Sequence, residues 1–334
     1  MGLTEQIKQK ALELGFDLVG ITDAAPLHPD YFNHLMGWLD AGYAGQMTWL
    51  HKNLEKRINP AKLLHGAQSV IVVGLNYKPA HVPRDPAPAI RNTSDQSRVT
   101  SHFGKVADYA RYEDYHPFIK KQLRKLVDFI VVSTGPGLKF KICVDSTPLL
   151  ERAFAAKAGL GFIGKNHALT NPVLGPQIFL GEIITNLELE KSEIRNTKSE
   201  IGSCDSCNKC VAACPTGALR PDGSFDATKC ISYLTIESNT DIPAELAPKI
   251  GNRLFGCAEC LLACPYQQKA PPRQNNHFAY YPDRANLDLN ELLNLTEDQF
   301  HSRFANSPIL RAGLTHLKNV AHICLRNLSA IRQA

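Results

Sequence analysis

The apolar positions of the first 190 residues change period several times, and each change marks an element. Between residues 4 and 14, Ile7, Ala11, Leu12 and Leu14 recur on a helical period, with Thr4 placed to cap the helix and Gly15 to stop it; "FDLVGIT" then predicts a strand. "SVIVVGLNY" (69–77) predicts a second, buried strand, whereas 79–102 is rich in Pro, Ser, Asn and Asp without periodicity and reads as a long surface loop. From Pro117 to Val132, Phe118, Leu123, Leu126, Phe129 and Ile130 share a face opposite Lys120, Lys121, Arg124 and Lys125, which predicts an amphipathic helix. A strand "FKICVD" (140–145), a helix "PLLERAFAAKAG" opened by Pro148 and closed by Gly159, and a strand region "PQIFLGEIITNLEL" (176–189) follow. Strands and helices alternate irregularly, so the expected class for residues 1–190 is α/β, in the α+β sense. The charged "ELEKSEIRNTKSE" sets this part off from a cysteine-rich unit at 200–270, and 271–334 reads as a linker followed by a helical C-terminal segment. No repeat of solenoid length is visible.

Composition narrows the class. The 334 residues are 44% hydrophobic and 21% charged, as in a globular protein of two or more cores. No run of about 18 apolar residues occurs, and the start lacks the cationic stretch and apolar block of a signal peptide, so a cytoplasmic protein without membrane contact is expected. The net charge of +5 would suit a polyanionic partner but does not by itself select one. In a reducing compartment the ten cysteines favour metal over disulfides, because all but Cys143 and Cys324 are clustered. Those two read as small buried hydrophobes.

Cys204-x2-Cys207-x2-Cys210-x3-Cys214-Pro has the spacing of a bacterial ferredoxin run, in which three cysteines hold one 4Fe–4S cube and the fourth reaches the other. The second run, Cys257-x2-Cys260-x3-Cys264-Pro, has Leu254 where its first cysteine belongs, and Cys230 can supply the missing thiolate. The expected ligand sets are therefore Cys204, Cys207, Cys210 and Cys264 for one cube, and Cys214, Cys230, Cys257 and Cys260 for the other. Structural zinc also takes four thiolates, but the two Cys-Pro endings and the crossed arithmetic favour iron.

Two further motifs fall short. "GLGFIG" (159–164) fits G-x-G-x-x-G, yet a helix precedes it where a dinucleotide site needs a strand, so its glycines read as a helix stop and a tight turn. "DYHPFI" (114–119) begins like a cobalt-binding D-x-H-x-x-G sequence but has Ile119 in place of the glycine, which leaves His116 as a residue at a helix start.

Taken together, "RYEDYH" (111–116), "VDSTPLLERAFAAKAGLGFIGKN" (144–166), "LGEIIT" (180–185), "CISYLTIE" (230–237) and the two cysteine runs resemble the epoxyqueuosine reductase family, in order and over almost the whole chain. The resemblance implies an oxidoreductase that removes the epoxide oxygen of epoxyqueuosine in a tRNA anticodon, using cobalamin fed by two 4Fe–4S clusters. It also implies a nitroreductase-like corrinoid-binding domain over 1–190, beside the α-rich, ferredoxin-like two-cluster unit. Asp145 of "VDSTP" corresponds to the proton donor, in a partly desolvated pocket that raises its pKa; on the residues alone it could also cap the Pro148 helix. Arg57, Glu113, Asp145, Leu169, Ser232, Cys257 and Ala258 correspond to cobalamin contacts. Lys52, Lys56, Lys120, Lys121, Arg124 and Lys125 are candidates for phosphate contacts, with an external flavodoxin- or ferredoxin-type donor or chemical reductant as electron source and a monomer as the expected state. Tyr112 stands where relatives have glycine, and the C-terminal helical-repeat extension of some relatives is absent from this sequence. A corrinoid reductive dehalogenase and a non-catalytic two-cluster electron carrier are the alternatives.

Overall fold

The structure, a computed structural model, describes residues 1–80, 102–192 and 202–333, so most of the polar stretch expected as a loop at 79–102 lies outside the described residues. In chain order the strands are β1 (Leu18–Asp23), β2 (Ser69–Asn76), β3 (Phe103–Val106), β4 (Phe140–Cys143), β5 (Phe162–Ile163), β6 (Leu169–Thr170), β7 (Ile178–Thr185), β8 (Arg253–Phe255) and β9 (Asn286–Asp288). The helices of the first part are α1 (Leu3–Glu13), α2 (Pro29–Asp40), α3 (Leu54–Ile58), α4 (Tyr115–Thr134) and α5 (Glu151–Lys157). Around the cysteines lie α6 (Lys209–Ala212), α7 (Ile231–Ile236), α8 (Ala247–Ile250), α9 (Glu259–Leu262) and α10 (Pro265–Lys269), and the chain ends in α11 (Leu289–Asn294), α12 (Glu297–Arg303) and α13 (Leu314–Gln333). The architecture is thus a mixed α/β one.

Four strands form an antiparallel sheet in the order β1-β2-β7-β4. Alternation along β2 and β7 divides its side chains between two apolar layers. Ile71, Val73, Leu75 and Ile183 meet Ile7, Ala11, Ile119, Leu123 and Ile130 of α1 and α4, whereas Val70, Val72, Leu180 and Ile184 meet Ala153, Phe154, Ala155 and Ala158 at α5. Gly181 points toward α4, where an added Cβ would come within 2.7 Å of Ile119. Glu182, next along the strand, therefore enters the opposite layer with Leu180 and Ile184, and it is fully buried there.

A second core joins distant parts of the chain. The small sheet β8-β3-β9 takes one strand from each of the three expected regions, and Val106, Ile231, Leu254, Phe255, Leu287, Leu289, Leu317 and Val320 pack around it. Leu254, the residue standing where the second run lacks a cysteine, is fully buried in this core. Near the chain junctions, the amide of Gln177 donates to Asp108 (2.7 Å), and that of Gln267 in α10 donates to the Gln177 side-chain oxygen (2.5 Å). This buried polar chain ties the segment after the second cysteine run to the end of the four-stranded sheet.

Several element bounds move from the sequence expectation for identifiable reasons. α1 begins at Leu3 with Gly2 before it, so Thr4 is inside the helix rather than its cap. α4 begins before Pro117 because Asp114 caps it, accepting the His116 N–H at 2.9 Å. α5 begins at Glu151, three residues after Pro148, and Asp145 does not cap it.

Candidate active site

Asp145 follows β4 and holds a left-handed backbone, with φ of 56°. For a residue with a Cβ this is a sparsely populated state, maintained only where neighbours enforce it. Three contacts do so: its N–H donates to Glu151 Oε1 at 2.5 Å, and its Oδ2 meets the Tyr115 hydroxyl at 3.1 Å and His116 Nε2 at 3.0 Å. Tyr115 stacks on the His116 ring on one side and on Phe179 on the other, with ring centroids 4.0 and 4.3 Å apart. The other imidazole nitrogen, Nδ1, lies 2.7 Å from Asp114 Oδ1. The sequence Asp-Tyr-His thus performs three tasks at one helix start: a cap that also orients an imidazole, a stacking ring that also donates a hydrogen bond, and the imidazole itself.

The electrostatics follow from this geometry. Burial alone would lower the pKa of His116, but its hydrogen bonds to Asp114 and Asp145 raise it to about 9, so the ring is an imidazolium at neutral pH. The hydrogen bond from His116 in turn holds the Asp145 carboxyl below its ordinary range, outweighing burial. The expected raised pKa is therefore corrected: the His116 cation dominates, and the Asp145 side chain keeps 53% of its surface accessible. The proton of this pair resides on the histidine.

Behind Asp145 lie two more carboxyls. Burial, with the Asp145 charge, pushes Glu151 up, and burial, with Glu151, pushes Glu182 up. Both Glu182 oxygens are buried, and among the described residues neither has a donor.

The remaining expected residues are distributed unevenly. Arg57 is buried; its guanidinium donates to the Trp49 carbonyl at 2.9 Å, and among the described residues its buried Nε has no acceptor. The Leu150 N–H donates to the Arg57 carbonyl at 2.8 Å, which joins α3 to the segment that follows Asp145. From the second core, Arg311 pairs with Glu237 at 2.7 Å, lies 5.7 Å from the Trp49 ring, and adds a smaller lowering to Asp145. Ser232 in α7 accepts the Cys257 N–H at 2.9 Å, and Ala258 is the residue before α9. Leu169 is buried in the α5 layer. Glu113 accepts the Ala279 N–H and lines a cavity of about 480 Å³ with Glu13, Lys121, Lys125 and His277. Lys52, Lys56, Lys121, Arg124 and Lys125 are exposed, and Lys120 is half-buried.

Cys204, Cys207, Cys210 and Cys264 line one cavity of about 350 Å³, together with Lys165, Ser203 and Tyr266. The Lys165 N–H points at Cys204 Sγ at 3.4 Å, and its ammonium is held by Asp205 and Asn208. Of the other four, Cys260 and Cys257 are pushed up by burial and then by neighbouring thiols, Cys257 to about 11; Cys230 and Cys214 are among the thiols that act on Cys260. Among the described residues no three His, Cys, Asp or Glu side chains converge on the position of a single ion. Cys143 and Cys324 are fully buried.

Sequence reasoning set His116 aside and missed Tyr115, Glu151, Glu182 and Arg311. A signal existed for Glu182: an acid in the middle of an eight-residue apolar strand.

Comparison with known proteins places this geometry. The family described as epoxyqueuosine reductase QueG, DUF1730, matches residues 57–146, and a 4Fe–4S double cluster binding domain matches residues 203–267. An epoxyqueuosine reductase of Pseudomonas aeruginosa is 38% identical over 320 residues, which is 96% of this chain and 84% of the relative. The structure of epoxyqueuosine reductase from Streptococcus thermophilus superposes with a TM-score of 0.84 at 30% identity, covering 100% of this chain and 84% of that one. A crystal structure of an epoxyqueuosine reductase with an epoxyqueuosine-modified tyrosine tRNA stem loop gives 0.85 at 30% identity, covering 99% and 84%. Among the described residues no helix is long and apolar enough to cross a membrane. With likeness of this degree along nearly its entire length, the chain belongs to the epoxyqueuosine reductase family of oxidoreductases.

Proposed function

We propose that this protein reduces epoxyqueuosine to queuosine at the wobble position of tRNA anticodons, on a nitroreductase-like corrinoid-binding domain served by two 4Fe–4S clusters. The observation that carries the proposal is the 38% identity to an epoxyqueuosine reductase over 96% of the chain. The residues fit the groups required. Four thiols from two distant runs share one cavity, and the buried Arg57 Nε offers a donor that a corrinoid carboxamide or phosphate oxygen would satisfy. Arg57, Glu113, Asp145, Leu169, Ser232 and the Cys257–Ala258 backbone would hold cobalamin. When bound, cobalamin and the clusters supply electrons at low potential.

Loss of the epoxide oxygen as water consumes two electrons and two protons per alkene formed. The proton held on His116 passes across the 3.0 Å contact to Asp145 and on to the departing oxygen, while the His116 Nδ1 remains oriented by Asp114. Tyr115 holds the same carboxylate oxygen, so the other is free to face the substrate. Exposed Lys52, Lys56, Lys121, Arg124 and Lys125, with Lys120, position tRNA phosphates. Residues 1–190 form the catalytic unit, 200–270 the cluster unit and 271–334 the linker and helical end of a cytoplasmic monomer that takes electrons from a flavodoxin- or ferredoxin-type donor.

The test is anaerobic reconstitution with iron, sulfide and cobalamin, followed by incubation with an epoxyqueuosine-bearing stem loop and a chemical reductant. Queuosine should form, and Asp145→Asn should keep iron and corrinoid while turnover falls at least about 100-fold. Undiminished turnover in that variant would remove Asp145 as the acid, and absence of product from the fully loaded wild type would remove the function.

A further inference from the structure

Glu151 and Glu182 pose a problem that the function above leaves unsolved. Glu182 enters the apolar layer between Leu180 and Ile184, fully buried, and among the described residues no donor reaches either of its oxygens. The charged group that acts on it most is the Glu151 carboxyl of α5, the helix packed against this face of the sheet. Two carboxylates in contact in an apolar layer repel, and neither brings a hydrogen to the contact unless one is protonated. On its other side Glu151 accepts the N–H of Asp145, whose φ of 56° needs enforcement.

We propose that Glu151 and Glu182 share a single proton, and that the carboxyl–carboxylate pair so formed is the clamp that holds Asp145 in its left-handed conformation. Glu182 is the protonated member and donates to Glu151; Glu151, thereby kept negative, accepts the Asp145 N–H. Both act through Asp145 and are positioning residues. The groups facing the pair are Asp145 from its own loop, Arg152 from α5 and Cys143 from the neighbouring strand position of β4. Arg152 donates to the His167 carbonyl, so its charge reaches Glu151 without a hydrogen bond to it. The Cys143 thiol is itself raised to about 12 by burial and by Glu182, and does not compete for the proton at neutral pH. The bearing of the clamp on turnover rests on Asp145 being the acid proposed above; the shared proton does not.

Glutamine at 182 reproduces a protonated glutamate, since its amide donates to Glu151 in the same way. In reconstituted holoprotein at neutral pH, infrared spectra should contain the C=O stretch of a buried protonated carboxyl, and Glu182→Gln should remove it. Hydrogen exchange at the amides of 145–147 should stay protected in Glu182→Gln and become unprotected in Glu182→Ala and Glu151→Ala. Wild-type protection should be lost at alkaline pH, and that loss should be absent in Glu182→Gln. Turnover should follow, near wild type in Glu182→Gln and down about 100-fold in Glu182→Ala, the loss that a displacement of about 1 Å produces. A wild type without the protonated-carboxyl band, or a Glu182→Gln variant as damaged as Glu182→Ala, would overturn the clamp. The spectrum and the exchange need no turnover, so a wild type that fails to reduce epoxyqueuosine would remove the function and leave this result to stand or fall separately.

Discussion

A lone carboxylic acid in the recess of Asp145 would carry its own proton only if burial outweighed every nearby charge, and the imidazolium of His116 prevents that. The sign of the resulting pH dependence is fixed. His116 gains protons on folding, its pKa rising from 6.5 to about 9, so its contribution to stability is complete below about pH 6.5 and is lost as pH rises through about 9. His116→Gln should therefore flatten the stability curve between those limits, as measured by chemical denaturation at a series of pH values. An unchanged slope would mean that the ring is neutral in the folded protein. Asp145 itself was legible in "VDSTP" through family likeness, but its partner was not. Twenty-nine positions separate His116 from Asp145; they meet because α4 packs against β4, while Asp114 orients the ring.

Elements whose apolar pattern matched a single burial state were legible: β2 is buried at every position and β7 at nearly every one, as continuous apolar runs imply. Short pieces governed by distant contacts were not, among them β3, β8 and β9, which among the described residues pair only with one another. "GLGFIG" is instructive, because its glycines serve steric needs: a Cβ on Gly161 would lie 2.3 Å from the Thr170 carbonyl oxygen across the β5–β6 hairpin. That hairpin precedes Lys165, whose N–H points at Cys204. Gly161→Ala should therefore destabilise the protein by about 1–3 kcal/mol, as overpacking does, and alter the reduction potential of the cluster assigned to Cys204; a potential equal to that of wild type would separate hairpin from cluster. Likewise Gln267→Ala leaves the buried Gln177 oxygen without its donor and should cost about 1–3 kcal/mol in urea denaturation.

At the scale of the whole molecule the two cysteine runs are interlocked, since Cys264 of the second closes the cavity lined by three cysteines of the first. The ferredoxin spacing made this legible, because it carries its own geometric rule. The second core was less so: its strands come from residues 103–106, 253–255 and 286–288, and nothing local in a three-residue strand announces its partner. The crossed ligand sets make a counterintuitive outcome testable. Cys264→Ser should abolish the same cluster as Cys204→Ser, and Cys214→Ser the same one as Cys260→Ser, judged by electron paramagnetic resonance and iron content. If Cys264→Ser instead matched Cys260→Ser, the ligand sets would not be crossed.

The position of Cys264 also sets a schedule during synthesis. Until translation has passed the second Cys-Pro, the cavity begun at Cys204 lacks its fourth wall. A nascent chain therefore presents open thiols for some 60 codons, from 204 to 264, and metal loading belongs after the ribosome has finished that stretch.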